Sequence, residues 1–153
     1  MAAVGALGEH GLVYTYQAPD PDSPQSTIAW AVISSDAKTW SAPLKITDSS
    51  TNVHDTAALA RPDGGADLYY EYSTDDFPFS IYRRCISPDG TWGPEQRVTD
   101  SSVKDAMKPS PSRLADGTVL LTFATGVERD ATTGFPIKQR IEAVVLPGDA
   151  PSL

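Results

Sequence analysis

Short apolar segments that alternate with polar residues recur along the whole chain, and no long window shows helical spacing. Thirteen prolines and eleven glycines separate these segments, which is typical of a chain of many short strands. The pattern therefore predicts an all-β protein built from antiparallel hairpins.

Part of this pattern repeats at an interval of 52 residues. Three pairs of residues have this spacing: Trp40 and Trp92, Asp48 and Asp100, and Arg61 and Arg113. We expect one domain, 1–153, of three units at about 1–50, 51–102 and 103–153, with four strands (A to D) in each. The predicted strands are 3–7, 12–16, 27–33 and 44–47, then 56–60, 67–72, 80–86 and 96–99, then 110–114, 118–124 and 137–145. The third unit lacks its outer strand D.

The B strands are apolar nearly throughout, as is typical of strands covered on both faces, whereas the C strands alternate more. Tight Asp-Gly and Gly-Gly turns join A to B. Four-stranded units repeated every 40–50 residues, with the inner strands more buried than the outer ones, indicate the blades of a β-propeller.

A similar phrase follows the first two C strands and identifies a family resemblance. Its residues are Ser34, Asp36 and Trp40 in the first unit and Ser87, Asp89 and Trp92 in the second. The phrase resembles the Asp-box of the sialidase-like (BNR repeat) β-propellers, although the Asp-to-Trp intervals of four and three residues are shorter than the family's five. The first phrase lacks the family's glycine, and the third unit has no such phrase. The resemblance implies a structural turn on the face away from the ligand, with the aspartates accepting backbone N–H groups and the tryptophans covering neighbouring sheets.

Three blades do not enclose an axis, so the ends of the row would expose apolar sheet faces. The family resemblance implies six blades, and two-fold dimers are the commonest assembly. We therefore expect half of a six-bladed ring, completed by a second copy in a homodimer. The alternative is a fragment of a longer propeller.

The net charge of −8 disfavours nucleic acids and anionic membranes as partners. No apolar run is long enough for a membrane span, and the first eight residues do not form a convincing signal peptide. The single cysteine, Cys85, cannot form an internal disulfide. Secreted and cytoplasmic locations both stay open.

In a propeller, the D–A and B–C loops share the face that usually binds ligands, and binding residues concentrate on such loops. The ligand-binding candidates are His54, Asp55, Asp75, Asp76, Phe77, Lys104, Asp105 and Arg129. Carboxylates and aromatic rings suit sugars, although a solvated acidic rim is the alternative interpretation. We assign no cofactor, and no metal, because no segment resembles a full coordination loop. We assign no catalytic residue, because the arginines, tyrosine nucleophile and acid/base of a sialidase cannot be transferred to this chain.

The leading function hypothesis is a carbohydrate-binding sialidase-like propeller that is not catalytic by itself. The second is a glycoside hydrolase of sialidase-like type whose site is completed by another chain or by further blades. The third is an interaction scaffold or self-assembling propeller fragment without a small ligand.

Overall fold

The computed structural model describes residues 3–7, 11–48, 52–73, 78–100, 103, 105–134 and 136–148. Within these ranges the chain forms eleven strands and no helix. The strands are β1 Ala3–Leu7, β2 Gly11–Asp20, β3 Ser23–Ser34, β4 Leu44–Lys45, β5 Asn52–Ala60, β6 Ala66–Ser73, β7 Ser80–Ile86, β8 Gln96–Arg97, β9 Met107–Arg113, β10 Val119–Arg129 and β11 Pro136–Leu146. No helix in the described ranges is therefore long and apolar enough to cross a membrane.

The strands form three antiparallel sheets, each paired in chain order. The first sheet is β1-β2-β3-β4, the second is β5-β6-β7-β8, and the third is β9-β10-β11 over the residues described. The prediction of an all-β protein with three antiparallel sheets is confirmed. The strand order follows from the tight turns, because a short connection leaves consecutive strands side by side.

Two apolar clusters lie between successive sheets. Val13 of the first sheet and Leu68 and Tyr70 of the second belong to one cluster. Tyr69 of the second sheet and Leu121 of the third belong to the other. Because successive side chains of a strand point to opposite faces, β6 contributes alternate residues to each cluster and is buried on both sides. Strand B of the second unit, which is apolar nearly throughout, is thus covered by a neighbouring sheet on each face.

The hairpin of β2 and β3 is longer than the sequence predicts. Residues 17–25 were expected to form a B–C loop, but β2 continues to Asp20 and β3 begins at Ser23. The register is irregular beyond Pro19, at the end of the hairpin where a missing proline N–H is tolerated. Asp20 is buried, and its Oδ1 accepts hydrogen bonds from Lys45 Nζ at 2.9 Å and from the Asp22 N–H at 3.0 Å.

The A–B turns correct one inference from the 52-residue spacing, namely that Arg61 and Arg113 are equivalent. The Arg61 N–H donates to the Gly65 carbonyl at 2.9 Å, and the Leu114 N–H donates to the Thr118 carbonyl at 2.8 Å. Arg61 therefore corresponds to Leu114, because the repeat interval is 53 residues across this turn.

Two arginines join neighbouring sheets by donating to backbone carbonyls. Arg84 of the second sheet donates from Nη1 to the carbonyl of Ile46, beyond the outer strand of the first sheet, at 3.0 Å. Arg113 of the third sheet donates from Nη2 to the carbonyl of Ala60 in the second, at 3.1 Å. Arg113 also lies 3.6 Å from the fully buried carboxylate of Asp67.

The aspartates of the two C–D turns make the backbone hydrogen bonds expected of them. Asp36 Oδ1 accepts the N–H groups of Lys38 and Thr39, each at 2.8 Å. Asp89 Oδ1 accepts the Thr91 N–H at 2.9 Å. These bonds close the turns and lower the pKa of Asp36 to about 2. The pKa of Asp89 is also below its usual value, first because the Ser87 hydroxyl donates to it and then because of the Thr91 N–H.

The two tryptophans of these turns differ in their surroundings. Trp92 packs against the cluster between the first and second sheets, and the Arg84 guanidinium lies 5.4 Å from its ring centre. Trp40 is 41% exposed and contacts Tyr14 of its own sheet edge-on, with ring centres 6.4 Å apart. Only Trp92 covers a junction between sheets in the part of the chain described.

Candidate functional site

Bulges mark one edge of the second and third sheets. The register slips within 53–56 of β5 and again within 107–110 of β9. Both irregularities lie near the start of the strand. They are at the end of the sheets opposite the A–B turns, which is the edge referred to below. Bulges of this kind redirect side chains and are common beside functional sites.

Two groups of polar residues lie at this edge, between the second and third sheets. We call this set the rim cluster and define it by Asp55, Glu71, Asp105, Lys108 and Arg129. Asp55 and Lys108 come from the two bulges, Glu71 from β6, and Arg129 from the end of β10. Asp105 precedes β9, so segment 105–108 connects the parts of the cluster.

Glu71 is the most unusual member of the rim cluster. Its side chain is 2% exposed, and one carboxyl oxygen accepts the backbone N–H of Lys108. Burial raises the pKa of Glu71 to about 8, and the nearby negative charge of Asp55 contributes to the rise. The Lys108 N–H acts in the opposite direction but does not outweigh burial. Glu71 therefore holds a proton at neutral pH beside an acidic neighbour.

Asp105 is buried and fixes the other side of the cluster. It forms an ion pair with Arg129, and its Oδ1 accepts the Phe79 N–H at 3.3 Å. Gly126 allows this approach, since a Cβ at that position would come within 2.8 Å of Asp105 Oδ2. Arg129 is partly exposed and also donates to the carbonyl of Gly134.

Two members of the cluster have strained backbone. Asp105 has φ of 56° and Lys108 has φ of 57°, a left-handed conformation that non-glycine residues rarely adopt. Only one other such residue, Ala37, occurs in the described ranges. Strained residues tend to gather at ligand-binding and catalytic sites, so the location of this pair supports a functional role for the rim cluster.

His54 lies at the margin of the cluster. Its ring stands edge-on against Phe79, with ring centres 4.7 Å apart. This pair gives the site an aromatic border, which suits a ligand with both polar and apolar surface.

The structure brings together four of the eight residues that the sequence suggested: His54, Asp55, Asp105 and Arg129. The other four, Asp75, Asp76, Phe77 and Lys104, lie outside the described residues.

Sequence reasoning missed Glu71, because it treated 67–72 as core. The available signal was a charged residue inside a strand that is otherwise apolar on both faces, since buried charges are the informative exceptions. No group of three or more His, Cys, Asp or Glu side chains in the described ranges is arranged to hold a metal ion.

No family model and no curated protein matches the chain. Several solved structures are similar in fold, among them the following three. The endo-arabinase of Bacteroides thetaiotaomicron superposes with a TM-score of 0.60 at 17% identity, over 90% of this chain and 53% of the enzyme. The GH93 α-L-arabinofuranosidase of Fusarium graminearum, in complex with arabinobiose, gives 0.63 at 14% identity, over 94% and 44%. A puromycin hydrolase S511A mutant complexed with PGG gives 0.53 at 20% identity, over 95% and 21%.

At these identities the likeness concerns the fold alone, since one fold can carry different activities. The chain spans about half the length of the first two. Its three antiparallel sheets thus have a propeller-like arrangement, similar to part of these larger enzymes.

Proposed function

We propose that this chain is a carbohydrate-binding β-propeller unit whose sugar site is the rim cluster. The observation that carries the proposal is Glu71, a buried carboxyl with a pKa of about 8 at the sheet edge where ligands bind in propellers. A carboxyl with a strongly raised pKa among other polar side chains supports a functional site, and so do the two bulges beside it.

The chemistry of the cluster suits hydroxyl groups. The partly exposed Arg129 guanidinium is a donor, and the Asp55 carboxylate is an acceptor. A sugar hydroxyl donates and accepts at once, so it can bridge such groups. The His54 and Phe79 rings supply apolar surface for the C–H face of a sugar ring.

Arabinose-containing oligosaccharides are the first ligands to test. The endo-arabinase and the arabinofuranosidase with arabinobiose share the fold of this chain, and their names identify the sugar. Sialylated glycans come second. Relationship to the sialidase-like Asp-box family rests on the two C–D turns, and Arg61 and Arg113 lie near Asp67, away from the rim cluster.

The test is titration of the chain with arabinobiose and longer arabino-oligosaccharides, followed by calorimetry and by amide chemical shifts. We expect saturable binding with shifts confined to the rim cluster. Asp55→Asn is expected to weaken binding at least tenfold, because a hydrogen bond to a charged group contributes about 1.5–3 kcal/mol. Asp116→Asn, on the opposite edge of the third sheet, is the matched control and should bind as the wild type does.

Binding that is unaffected by Asp55→Asn, or equally affected by Asp116→Asn, would remove the rim cluster as the site. No binding of arabino-oligosaccharides or sialylated glycans would favour the third hypothesis, a scaffold without a small ligand.

Glycoside hydrolysis is a second candidate function, favoured by the proximity of protonated Glu71 to Asp55. Two carboxyl groups, one protonated and one ionised, are the usual apparatus for breaking a glycosidic bond. Release of nitrophenol from a nitrophenyl arabinofuranoside should then decline above pH 8, as Glu71 loses its proton, and Glu71→Gln should abolish it. Binding without turnover would leave the binding function alone.

A further inference from the structure

We propose that the outward face of the third sheet binds the first sheet of a second copy of this chain. The proposal concerns assembly and stands independently of the sugar site. It rests on a comparison of equivalent residues in the three sheets. In the first two sheets these residues are covered by the next sheet along the chain.

Counted from the A–B turns, Glu71 and Ala124 occupy equivalent positions, and their cross-strand partners are Ile81 and Ile141. Ala29 is the corresponding residue of the first sheet, because Ala29 and Ile81 accept the same backbone bond from the outer segment, at 2.9 Å in each sheet. Ala29 and Ile81 are fully buried, in the clusters formed with the next sheet. Ile141 is 75% exposed.

The exposed position belongs to a larger apolar face. On the same side of β11, Ile137 is 63% and Val145 is 61% exposed, whereas Cys85, the equivalent of Val145 in the second sheet, is buried. On this side Gln139 separates Ile137 from Ile141, whereas Ile141, Ala143 and Val145 form an exposed aliphatic row. Exposed aliphatic rows of this kind mark interaction surfaces. The equivalent faces of the first two sheets are established inter-sheet contacts, and this face continues their series.

The matching half of such a contact is the outward face of the first sheet. In the second sheet, Tyr70, its cross-strand partner Tyr82 and Trp92 belong to or pack against the cluster shared with the first sheet. The equivalent set in the first sheet is Tyr16, its partner Trp30, and Trp40, and no sheet of the described chain packs on that side.

The outward face of the first described sheet is thus aromatic, and the outward face of the third is aliphatic. Within the chain, the aromatic residues of the second sheet cover an aliphatic face of the first in the same way. A second copy presents both. Its first sheet fits the third sheet of the original, and the two contacts form together around a two-fold axis, which gives a ring of six sheets. Such a contact is head-to-tail, so each interface joins two different surfaces.

The first measurement is the solution mass of the chain by light scattering. We expect about twice 16.3 kDa. Ile141→Glu on the third sheet and Trp40→Glu on the first should each reduce the mass to that of one chain, because a buried carboxylate without a partner is unfavourable. Both side chains are exposed in the monomer, so each variant should retain the wild-type circular dichroism spectrum. Lys138→Glu, on the other side of β11, is the matched control and should leave the mass unchanged.

An equimolar mixture of the Ile141→Glu and Trp40→Glu variants tests the head-to-tail geometry. The mixture retains one unaltered contact per pair and should regain dimers that neither variant forms alone. A monomeric wild-type chain would overturn the proposal, as would a dimer that survives both substitutions. A dimer lost in Ile141→Glu but intact in Trp40→Glu would also overturn it, by indicating that two third sheets meet.

Discussion

Glu71 is a buried acidic residue whose surroundings differ strongly from water. Its carboxyl enters the interior between two sheets with one backbone N–H as its hydrogen-bond partner among the contacts described. Burial raises its pKa from an ordinary 4.5 to about 8, so the folded protein binds this proton more tightly than the unfolded chain does. The stabilisation from the proton is complete below pH 4.5 and is lost as the pH rises towards 8.

The resulting prediction is a stability that falls between pH 5 and pH 8.5, with Glu71 contributing on the order of 3 kcal/mol. Glu71→Gln keeps an acceptor for the Lys108 N–H and removes the titration. We expect this variant to resemble the wild type at pH 5 and to be more stable by about 2–3 kcal/mol at pH 8.5, measured by urea unfolding.

Glu128→Gln is the control for that prediction, because Glu128 is exposed on the same edge and should change stability by less than about 0.5 kcal/mol at either pH. A Glu71→Gln variant with the same pH profile as the wild type would contradict the assignment of the proton to Glu71.

The two C–D turns show how one structural element accommodates two sequences. Gly90 follows Asp89 with φ of 87°, and Ala37 follows Asp36 with φ of 57°. The first turn thus has the left-handed backbone that glycine favours, although the sequence has alanine there. The cost is local strain, because the left-handed region is unfavourable for residues with a Cβ.

Exchange of these residues should have opposite effects. Ala37→Gly is expected to raise the free energy of unfolding by about 0.5–1 kcal/mol, since relief of strain exceeds the added entropy of the unfolded chain. Gly90→Ala should lower it by a similar amount, and for backbone reasons, because its Cβ would meet only Ile33 Cδ1, at 3.6 Å. Chemical denaturation of both variants checks this, and effects of the same sign would contradict it.

Strand positions were predictable because alternation and tight turns are local properties of the sequence. The predicted 80–86 is the observed β7, and the three sheets have their predicted order. The bulges of β5 and β9 were not predictable, because they depend on register against a partner strand. Three residues of the rim cluster, Asp55, Asp105 and Arg129, were recoverable from predicted loop positions, whereas Glu71 lay inside a strand that looked like core.

At the scale of the whole molecule, Arg113 connects the third sheet to the second. It donates to the carbonyl of Ala60 in the second sheet and to those of Gly117 and Gly148, which flank strands of its own sheet. It also lies 3.6 Å from the buried carboxylate of Asp67. Arg61 lies at the same distance from Asp67, so removal of Arg113 takes away one of two cations paired with this buried carboxyl, together with the hydrogen bonds of Arg113 to three carbonyls.

Arg113→Gln should therefore destabilise the chain by about 2–4 kcal/mol. Adding Asp67→Asn should cost less than the sum of the single effects, because the two groups interact. Arg140→Gln, at an exposed ion pair with Glu142, is the control and should change stability by less than about 1 kcal/mol. Urea unfolding measures all four variants, and additive single effects would show that Arg113 acts independently of Asp67.

The arginines that join the sheets have a consequence for how the chain can change over time. Arg84 and Arg113 both donate hydrogen bonds to backbone carbonyls of the neighbouring sheet, at Ile46 and Ala60. Every amino acid has a backbone carbonyl. The side chains at the two acceptor positions can therefore be replaced without loss of these hydrogen bonds. Both joints should therefore tolerate substitutions at Ile46 and Ala60 that leave the backbone in place.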